Sequence, residues 1–467
     1  MNFKTILQSL RSKDMLKRVA IIFGIIIAYR LLAHIPVPLG DAKTFKDAVG
    51  NLITSSDFGG FLNLISGGGL TSFSIILVGL SPFITASIVG QLLTKAIPRL
   101  EELHKDGESG RRKINQWTRV LAVPLAILQS VAYIFILYQQ VIAANTTTAV
   151  EPTTIQWILS ITAMSAGSIL LMWLGELITE QGIGNGISTI IFASIISAFP
   201  STLAGIGTSL FDTSAGSLSL FGWFELPVNP ATFYITLGLG VGVILVLYLL
   251  VKVNEAQRIV TINYAKRVHG NSAYGGIKSI MPIKLIAAGV VPVIFAVAFL
   301  SLPAFVGQLI MSADPGNQVA SNLVSWFSAP SAQNFTGLSP EWFIYPICYF
   351  LLVVGFTFFY TSIIFNTKEI AENLQKQGGF IEGVRPGLET EKYFNRTVSR
   401  LNLFGALALG LIAMLPYITD YIFIVISGAP IGLSLSGTGL LIVVTVALES
   451  LRQLNSRALM VTYDEYK

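Results

Sequence analysis

Apolar residues run along this chain in long blocks. Runs of about 20 residues, the length that crosses ~30 Å of hydrocarbon as helix, lie near 18–35, 72–94, 117–138, 155–178, 186–207, 230–253, 282–305, 341–365, 398–419 and 433–454. The pattern predicts an all-α polytopic membrane protein with ten transmembrane helices. Three places break it. Residues 58–74 are apolar, but too short and too glycine-rich to cross before the next run begins. They predict a half-helix or re-entrant segment buried in protein or facing water. Residues 179–186, Thr-Glu-Gln-Gly-Ile-Gly-Asn-Gly, predict a very short turn without basic residues. The connections at 252–284 and 366–400 are charged, and long against helix connections of about 2–8 residues.

Charge then orients the spans. Between the apolar runs, Lys and Arg number five in 1–18, two in 36–57, seven in 95–119, six in 252–284, six in 366–400 and three in 452–467, and none in the remaining connections. Twenty-seven of these twenty-nine fall at the N-terminus or an even number of crossings from it. Positive charge resists translocation, so both termini and the basic loops are expected on the cytoplasmic side. An even span count requires the same. Spans one and six start on opposite sides, so 1–207 and 230–467, joined by an external connection at 208–229, are expected to form two inverted five-helix halves. Inverted halves usually place a pathway at their interface.

Composition sharpens this. Hydrophobic residues make up 53% of the chain and charged residues 12%, against roughly a quarter charged in soluble domains. The net charge of +5 is confined to loops, which is first of all a topology device and not a nucleic-acid footprint. The single cysteine, Cys348, rules out an intrachain disulfide. The stretch at 34–38 after the first apolar run offers no small-residue cleavage site, so that span is expected to remain.

Several motifs carry chemistry weakly on their own. Gly79-Leu-Ser-Pro-Phe-Ile-Thr-Ala-Ser-Ile-Val-Gly-Gln-Leu-Leu93 sets Ser81, Thr85, Ser87 and Gln91 on an apolar span, with Pro82 near a helix start. Such groups face other helices or water, and helix packing outweighs a pathway from composition alone. The cations of Gly107-Glu-Ser-Gly-Arg-Arg-Lys113 suit anionic lipid headgroups or an acidic partner, or simply enforce orientation.

Taken together with Ser66-Gly-Gly, Trp173-Leu-Gly-Glu, Gly182-Ile-Gly-Asn-Gly, Asn263-Tyr-Ala-Lys-Arg267, Gly289-Val-Val-Pro292, Phe365-Asn366, Arg385-Pro-Gly387 and Gly437-Thr438, these motifs occur in one order from about Leu16 to beyond Ile442. In that order the chain resembles the SecY family, central channel subunits of the bacterial preprotein translocase. The resemblance implies two halves around a central pore. It also implies a short plug helix at about 58–73, including Phe61, Leu64, Ile65, Ser66, Gly67, Gly68, Gly69 and Leu70. Weak packing suits a segment that must leave the pore. By motif register it gives an aliphatic pore ring of Leu80, Ile84, Ile191, Ile294 and Ile442, which excludes ions by dewetting without sequence-specific contact. A lateral gate between the second and seventh spans would use Ser87, Gln91 and the region around Pro292, releasing membrane segments sideways. Arg258, Lys266 and Arg267 in one long loop, and Arg385, Pro386 and Gly387 in the other, match those that receive the ribosome and the SecA ATPase. Polyanionic RNA rewards basic loop tips through counterion release.

The resemblance further implies SecE and SecG as bracing subunits, signal sequences and nascent chains as cargo, and the bacterial cytoplasmic membrane as location. No cofactor is expected, because energy would come from SecA, from translation or from the proton motive force. The chain departs from the family pattern at Arg258-Ile259, where two basic residues are common, at Gln181, where one is, and at Gly90, where an aliphatic residue is usual. A secondary transporter for a small solute is the main alternative, since inverted halves and glycine-broken helices are its signature. It usually needs ionisable residues near the midplane, and Arg30, Glu176 and Glu449 lie toward span ends. An intramembrane enzyme is disfavoured: His34, His104 and His269 are scattered and form no nucleophile–base or metal-ligand spacing.

Overall fold

The structure is a computed structural model that describes residues 13–38, 72–143, 153–182, 184–211, 218–220, 224–226, 230–264, 267–269, 272–274, 278–314, 316–327, 343–427 and 433–465. Each of the ten expected spans carries a helix: α1 (Lys13–Leu32), α2 (Ser81–Ala96), α4 (Glu108–Ala143), α5 (Thr154–Glu180), α6 (Gly186–Leu210), α7 (Pro230–Glu255), α8 (Val291–Ala313), α10 (Ile344–Ile364), α12 (Leu388–Ser427) and α13 (Leu433–Glu465). Shorter helices α3 (Pro98–Lys105), α9 (Gln318–Phe327) and α11 (Thr367–Lys376) lie between them. Among the described residues, six helices contain a stretch long and apolar enough to cross a membrane. Large apolar side chains stand out from these helices, with Ile155 75%, Val120 73% and Ile244 68% exposed, the surface expected where the solvent is lipid.

Two apolar runs start earlier than their helices. In the run from 72, residues up to Leu80 form turns, with Phe73 at φ 47 and Gly79 at φ 62. They are apolar because they are buried: Phe73, Ile76, Leu77 and Val78 are each at most 2% exposed. The run from 282 begins as strand and bends at Gly289 (φ 64) before α8 starts.

The chain falls into two compact units. The first comprises Met1–Gly238, Ala298–Tyr345 and Thr419–Lys467. Its core gathers Val37, Phe73, Leu77, Ile134, Leu137, Met164 and Phe305, with the Tyr133 and Phe305 rings edge-on at 5.2 Å. Small and hydroxylated residues let the backbones approach. A side chain at Gly167 would collide with the Ile75 carbonyl oxygen, Ser168 Oγ donates to the Gly79 carbonyl at 2.8 Å, and Ser165 bonds Ser130 at 3.1 Å. Inside a bilayer such packing and interhelical hydrogen bonds, about 0.6 kcal/mol each, replace the hydrophobic effect as the cement.

The second unit comprises Leu239–Val297 and Pro346–Ile418. Here the structure adds what span counting leaves out. Strand β3 (Gln257–Tyr264) pairs antiparallel with β6 (Lys278–Lys284), Arg258 opposite Ile283 and Thr261 opposite Ile280. Strand β7 (Gly379–Phe380) joins the other edge of β3, with Asn263 opposite Phe380 and Tyr264 opposite Gly379. Two smaller hairpins pair β1 (Leu218–Leu220) with β2 (Phe224–Leu226), in the first unit, and β4 (Arg267–His269) with β5 (Ser272–Tyr274).

Candidate functional site

Four of the five positions expected to form the pore ring lie in the first unit. Leu80 caps the start of α2, where Pro82 occupies an early helical position that needs no amide hydrogen. The Ile84 amide bonds the Leu80 carbonyl at 3.0 Å, so the two side chains follow each other on one helical face, 0% and 4% exposed. Ile191 is buried on α6 and Ile442 is half-buried on α13. These two helices pack: a side chain at Gly439 would touch Ile195 Cγ2 at 3.2 Å. Ile191 stands one turn before Ile195, and Ile442 three residues after Gly439. Ile294, half-buried near the start of α8, belongs to the second unit.

The turn that launches α6 is built tightly. Gly182 and Gly184 adopt φ 72 and 87, which only glycine takes without strain. Asn185 caps the helix by accepting from the Ile187 amide at 3.1 Å, and the Gly186 amide donates to Thr179 Oγ1 at 2.9 Å. Two side chains from far along the chain complete it. Arg18 donates to the Gln181 carbonyl at 3.2 Å, and Gln453 Oε1 accepts from the Gly184 amide at 2.7 Å. Further along α6, Tyr29 Oη and Ser194 Oγ share a buried hydrogen bond of 2.7 Å. Sequence reasoning missed these clamps, because nothing in the local pattern around Arg18, Tyr29 or Gln453 marks a partner over a hundred residues away.

Of the gate positions, Ser87 and Gln91 lie one turn apart on α2, with Gln91 Nε2 donating to Ser87 Oγ at 3.2 Å. Gln91 Oε1 is buried without a hydrogen-bond partner among the described residues. The Gly90 departure now has a packing reason. A side chain there would come within 3.0 Å of Thr118 Oγ1 on α4, and the space beside it opens into a cavity of about 600 Å³ lined by Leu93, Thr94, Trp117 and Leu121. Pro292 is buried at the start of α8. The plug positions Phe61 to Leu70 lie outside the described residues. At the boundary of that segment, Ser72 donates to the Ala33 carbonyl at 2.7 Å and the Phe73 carbonyl accepts from the Val37 amide at 2.9 Å.

The docking positions are joined in a way their separation in sequence conceals. Because β7 pairs with β3, the 252–284 and 366–400 loops share one three-stranded sheet in the order β6-β3-β7. One face of it, Val260, Ile262 and Ile283, packs on Leu374 of α11, Ile381 and Phe394 of α12. Gly379 permits the junction, since a side chain there would press on Tyr264 at 3.2 Å and Ile262 at 3.3 Å. Burying such side chains contributes about 1.5–3 kcal/mol each, so these loops have a core of their own. Arg258 is exposed on β3, and Arg385 and Pro386 are exposed at a bend closed by Gly387 at φ 95. Thr390 Oγ1 donates to the Arg385 carbonyl at 2.9 Å and fixes that bend. Lys266 lies outside the described residues, and Arg267 begins β4.

Among the described residues no group of three or more His, Cys, Asp and Glu gathers as a metal site would require. Glu176 is paired with Arg119 at 2.5 Å, so its charge is already matched. His34 Nδ1 donates to the Arg30 carbonyl at 2.8 Å.

Comparison with known proteins places this geometry. The SecY family model matches residues 74–451. The chain is 39% identical over 464 residues to the protein translocase subunit SecY of Streptomyces galbus, and 35% identical over 465 residues to that of Corynebacterium glutamicum, in each case covering 98% of both chains. Among solved structures it superposes on a protein-conducting channel with a TM-score of 0.60, at 19% identity, over 93% of this chain and 90% of the other. It also superposes on Sec61 from a canine ribosome–channel complex with a TM-score of 0.58, at 18% identity and the same coverage.

Proposed function

The chain belongs to the SecY family, the channel subunits of protein translocase, and from that premise we propose that it conducts unfolded preproteins across the bacterial cytoplasmic membrane and releases membrane helices sideways into lipid. Family membership along essentially the whole chain carries this reading. In it, the five-helix halves 1–207 and 230–467 are inverted around the pore, both termini are cytoplasmic, and the segment at 58–73 is the plug. Leu80, Ile84, Ile191, Ile294 and Ile442 close around the moving polypeptide. Aliphatic side chains suit that task because they exclude water and ions while forming no fixed contact with cargo. Ser87, Gln91 and Pro292 belong to the seam that opens laterally, a mildly polar closure that holds without locking.

Energy and delivery come from outside the chain. The packed sheet that joins both long loops, with Arg258 exposed on β3 and Arg385 exposed at the bend between β7 and α12, supports docking of the ribosome and of the SecA ATPase, and a small-solute transporter has no use for such a platform. Subunits like SecE and SecG brace the helices, and the basic 95–119 region meets anionic lipid. Reconstitution into vesicles with SecE and SecA tests the reading. A signal-bearing preprotein is expected to become protease-protected only with ATP. Uptake of a small solute by the chain without any partner would restore the transporter alternative.

A further inference from the structure

Helix α9 carries none of the residues expected in the ring, the gate or the docking loops, and its surface is unusual. Val319, Leu323 and Trp326 recur at helical spacing along one stripe, and Ala320, Val324 and Phe327 along the adjacent one. Gln318, Ser321, Asn322 and Ser325 fill the remaining arc, which carries no charge. The second stripe is spoken for: a side chain at Gly307 of α8 would meet the Ala320 carbonyl oxygen and Val324 Cγ2 at 3.0 Å and Leu323 Cβ at 3.1 Å. The first stripe is open at its two ends, with Val319 67% and Trp326 37% exposed, while Leu323 between them is half-buried at the edge of the seat.

The connection between the two helices fixes the depth of that open stripe. The Asp314 amide still bonds the Ile310 carbonyl at 2.8 Å, the Gly316 amide donates to Asp314 Oδ1 at 3.3 Å, and Asn317 Oδ1 caps α9 by accepting from Val319 and Ala320 at 3.1 and 3.3 Å. The chain therefore reverses between 314 and 317 and lays α9 back over Gly307. Along a span that starts at Val291, Gly307 stands about 24 Å in, near the far boundary of a ~30 Å hydrocarbon core. Folding back carries Trp326, at the end of α9, toward the bilayer. On α8 itself Phe299, Leu302, Val306 and Ile310 form an exposed apolar stripe, 44%, 38%, 47% and 37% exposed, that leads up to the same level.

We propose that α9 is an interfacial helix: it lies in the headgroup region of the leaflet opposite the basic loops, with Val319 and Trp326 in the acyl boundary and the serine face in water. Indole rings concentrate at that depth because an apolar body and an N–H donor are satisfied together. An uncharged polar face suits a helix held there by apolar burial and by its seat on Gly307, without attraction to anionic lipid. The seat makes the span and the interfacial helix one hairpin, fixing the external end of α8 against sliding in the bilayer.

Nitroxide labels test this on the full chain with Cys348→Ser, reconstituted in phosphatidylethanolamine–phosphatidylglycerol vesicles, through collision with oxygen and with a water-soluble nickel chelate. Val319→Cys and Trp326→Cys are expected to show a several-fold higher oxygen-to-nickel ratio than Ser321→Cys, at a depth within about 5–10 Å of the headgroup boundary. Gly307→Leu, which unseats α9, is expected to return position 319 toward the value at 321. Equal nickel access at 319, 326 and 321 overturns the proposal, and so does shielding of 319 and 326 from both reagents, which would mean protein covers the stripe. Val319 is exposed enough to keep the test available if Trp326→Cys does not fold. The proposal rests on α8 crossing the bilayer, and Leu302→Cys separates the two: a deep label at 302 with a watery one at 319 refutes the interfacial helix alone.

Discussion

The Gly184 amide donates to Gln453 Oε1 at 2.7 Å, so the last helix of the chain holds the turn from which α6 sets out toward Ile191. At φ 87, Gly184 cannot be replaced without strain, and a side chain there would also meet Ser450 Oγ at 2.9 Å. Gln453→Leu removes the acceptor and leaves the amide unpaired, at a cost of about 1 kcal/mol or somewhat more. Thermal unfolding in detergent is expected to show a lowered midpoint for Gln453→Leu, and no change for a substitution at exposed Glu382.

Two glycines of α6 are expected to behave oppositely. A side chain at Gly186 would collide with the Gly175 carbonyl oxygen, whereas one at Gly207 meets nothing within 4 Å. Gly186→Ala therefore forces α5 and α6 apart and costs several kcal/mol, ~3 or more. Gly207→Ala is neutral or stabilises by about 0.5–1 kcal/mol through helix propensity. Steady-state protein level and the unfolding midpoint of the two variants read the difference.

Polar substitution in the ring should unseal it. Ile191→Asn and Ile84→Asn place amides in the proposed seal, which excludes ions by dewetting, and Leu80 and Ile84 share one buried face. Ion conductance of reconstituted vesicles is expected to rise, and preproteins with defective signal sequences to gain passage. Wild-type tightness in the double variant would remove these residues from the seal.

Arg385 tests the proposed docking role apart from folding. The residue is exposed, and its bend is held by Thr390 and Gly387 and not by the guanidinium. Arg385→Gln should leave the unfolding midpoint unchanged, weaken ribosome binding, and reduce the salt dependence of that binding by about one counterion. Gly379→Val acts by another route. It wedges β7 from Tyr264 and Ile262, so stability and docking should fall together.

The spans were legible because a membrane-crossing helix must satisfy its own backbone and present apolar side chains for about 20 residues, and no other chain segment leaves that mark. The glycine turn before α6 was legible too, as punctuation. Hydropathy overreached at Phe73, Ile76 and Leu77, which are apolar because the core buries them and not because a helix crosses there. The sheet was missed although Val260 and Ile262 alternate with exposed Ile259 and Thr261; four residues of alternation are short, and β7 contributes only Gly379 and Phe380. That β7 would cross to β3 is a tertiary fact, set by Leu374 and Phe394 in a shared core. The clamps from Arg18, Tyr29 and Gln453 were invisible for the same reason, since single polar residues carry no address.

The central claim is that a polypeptide in transit passes the ring. In the Cys348→Ser background, single cysteines at Leu80, Ile84, Ile191, Ile294 and Ile442, each tested against a preprotein stalled in mid-translocation with one cysteine in its translocating segment, measure that passage directly. Disulfide crosslinks are expected at the ring positions, only with ATP and the motor present, and absent at Ile155, which is exposed on the outer surface of α5. Translocation that proceeds while every ring position stays unlinked, or links no more than Ile155 does, would contradict the account.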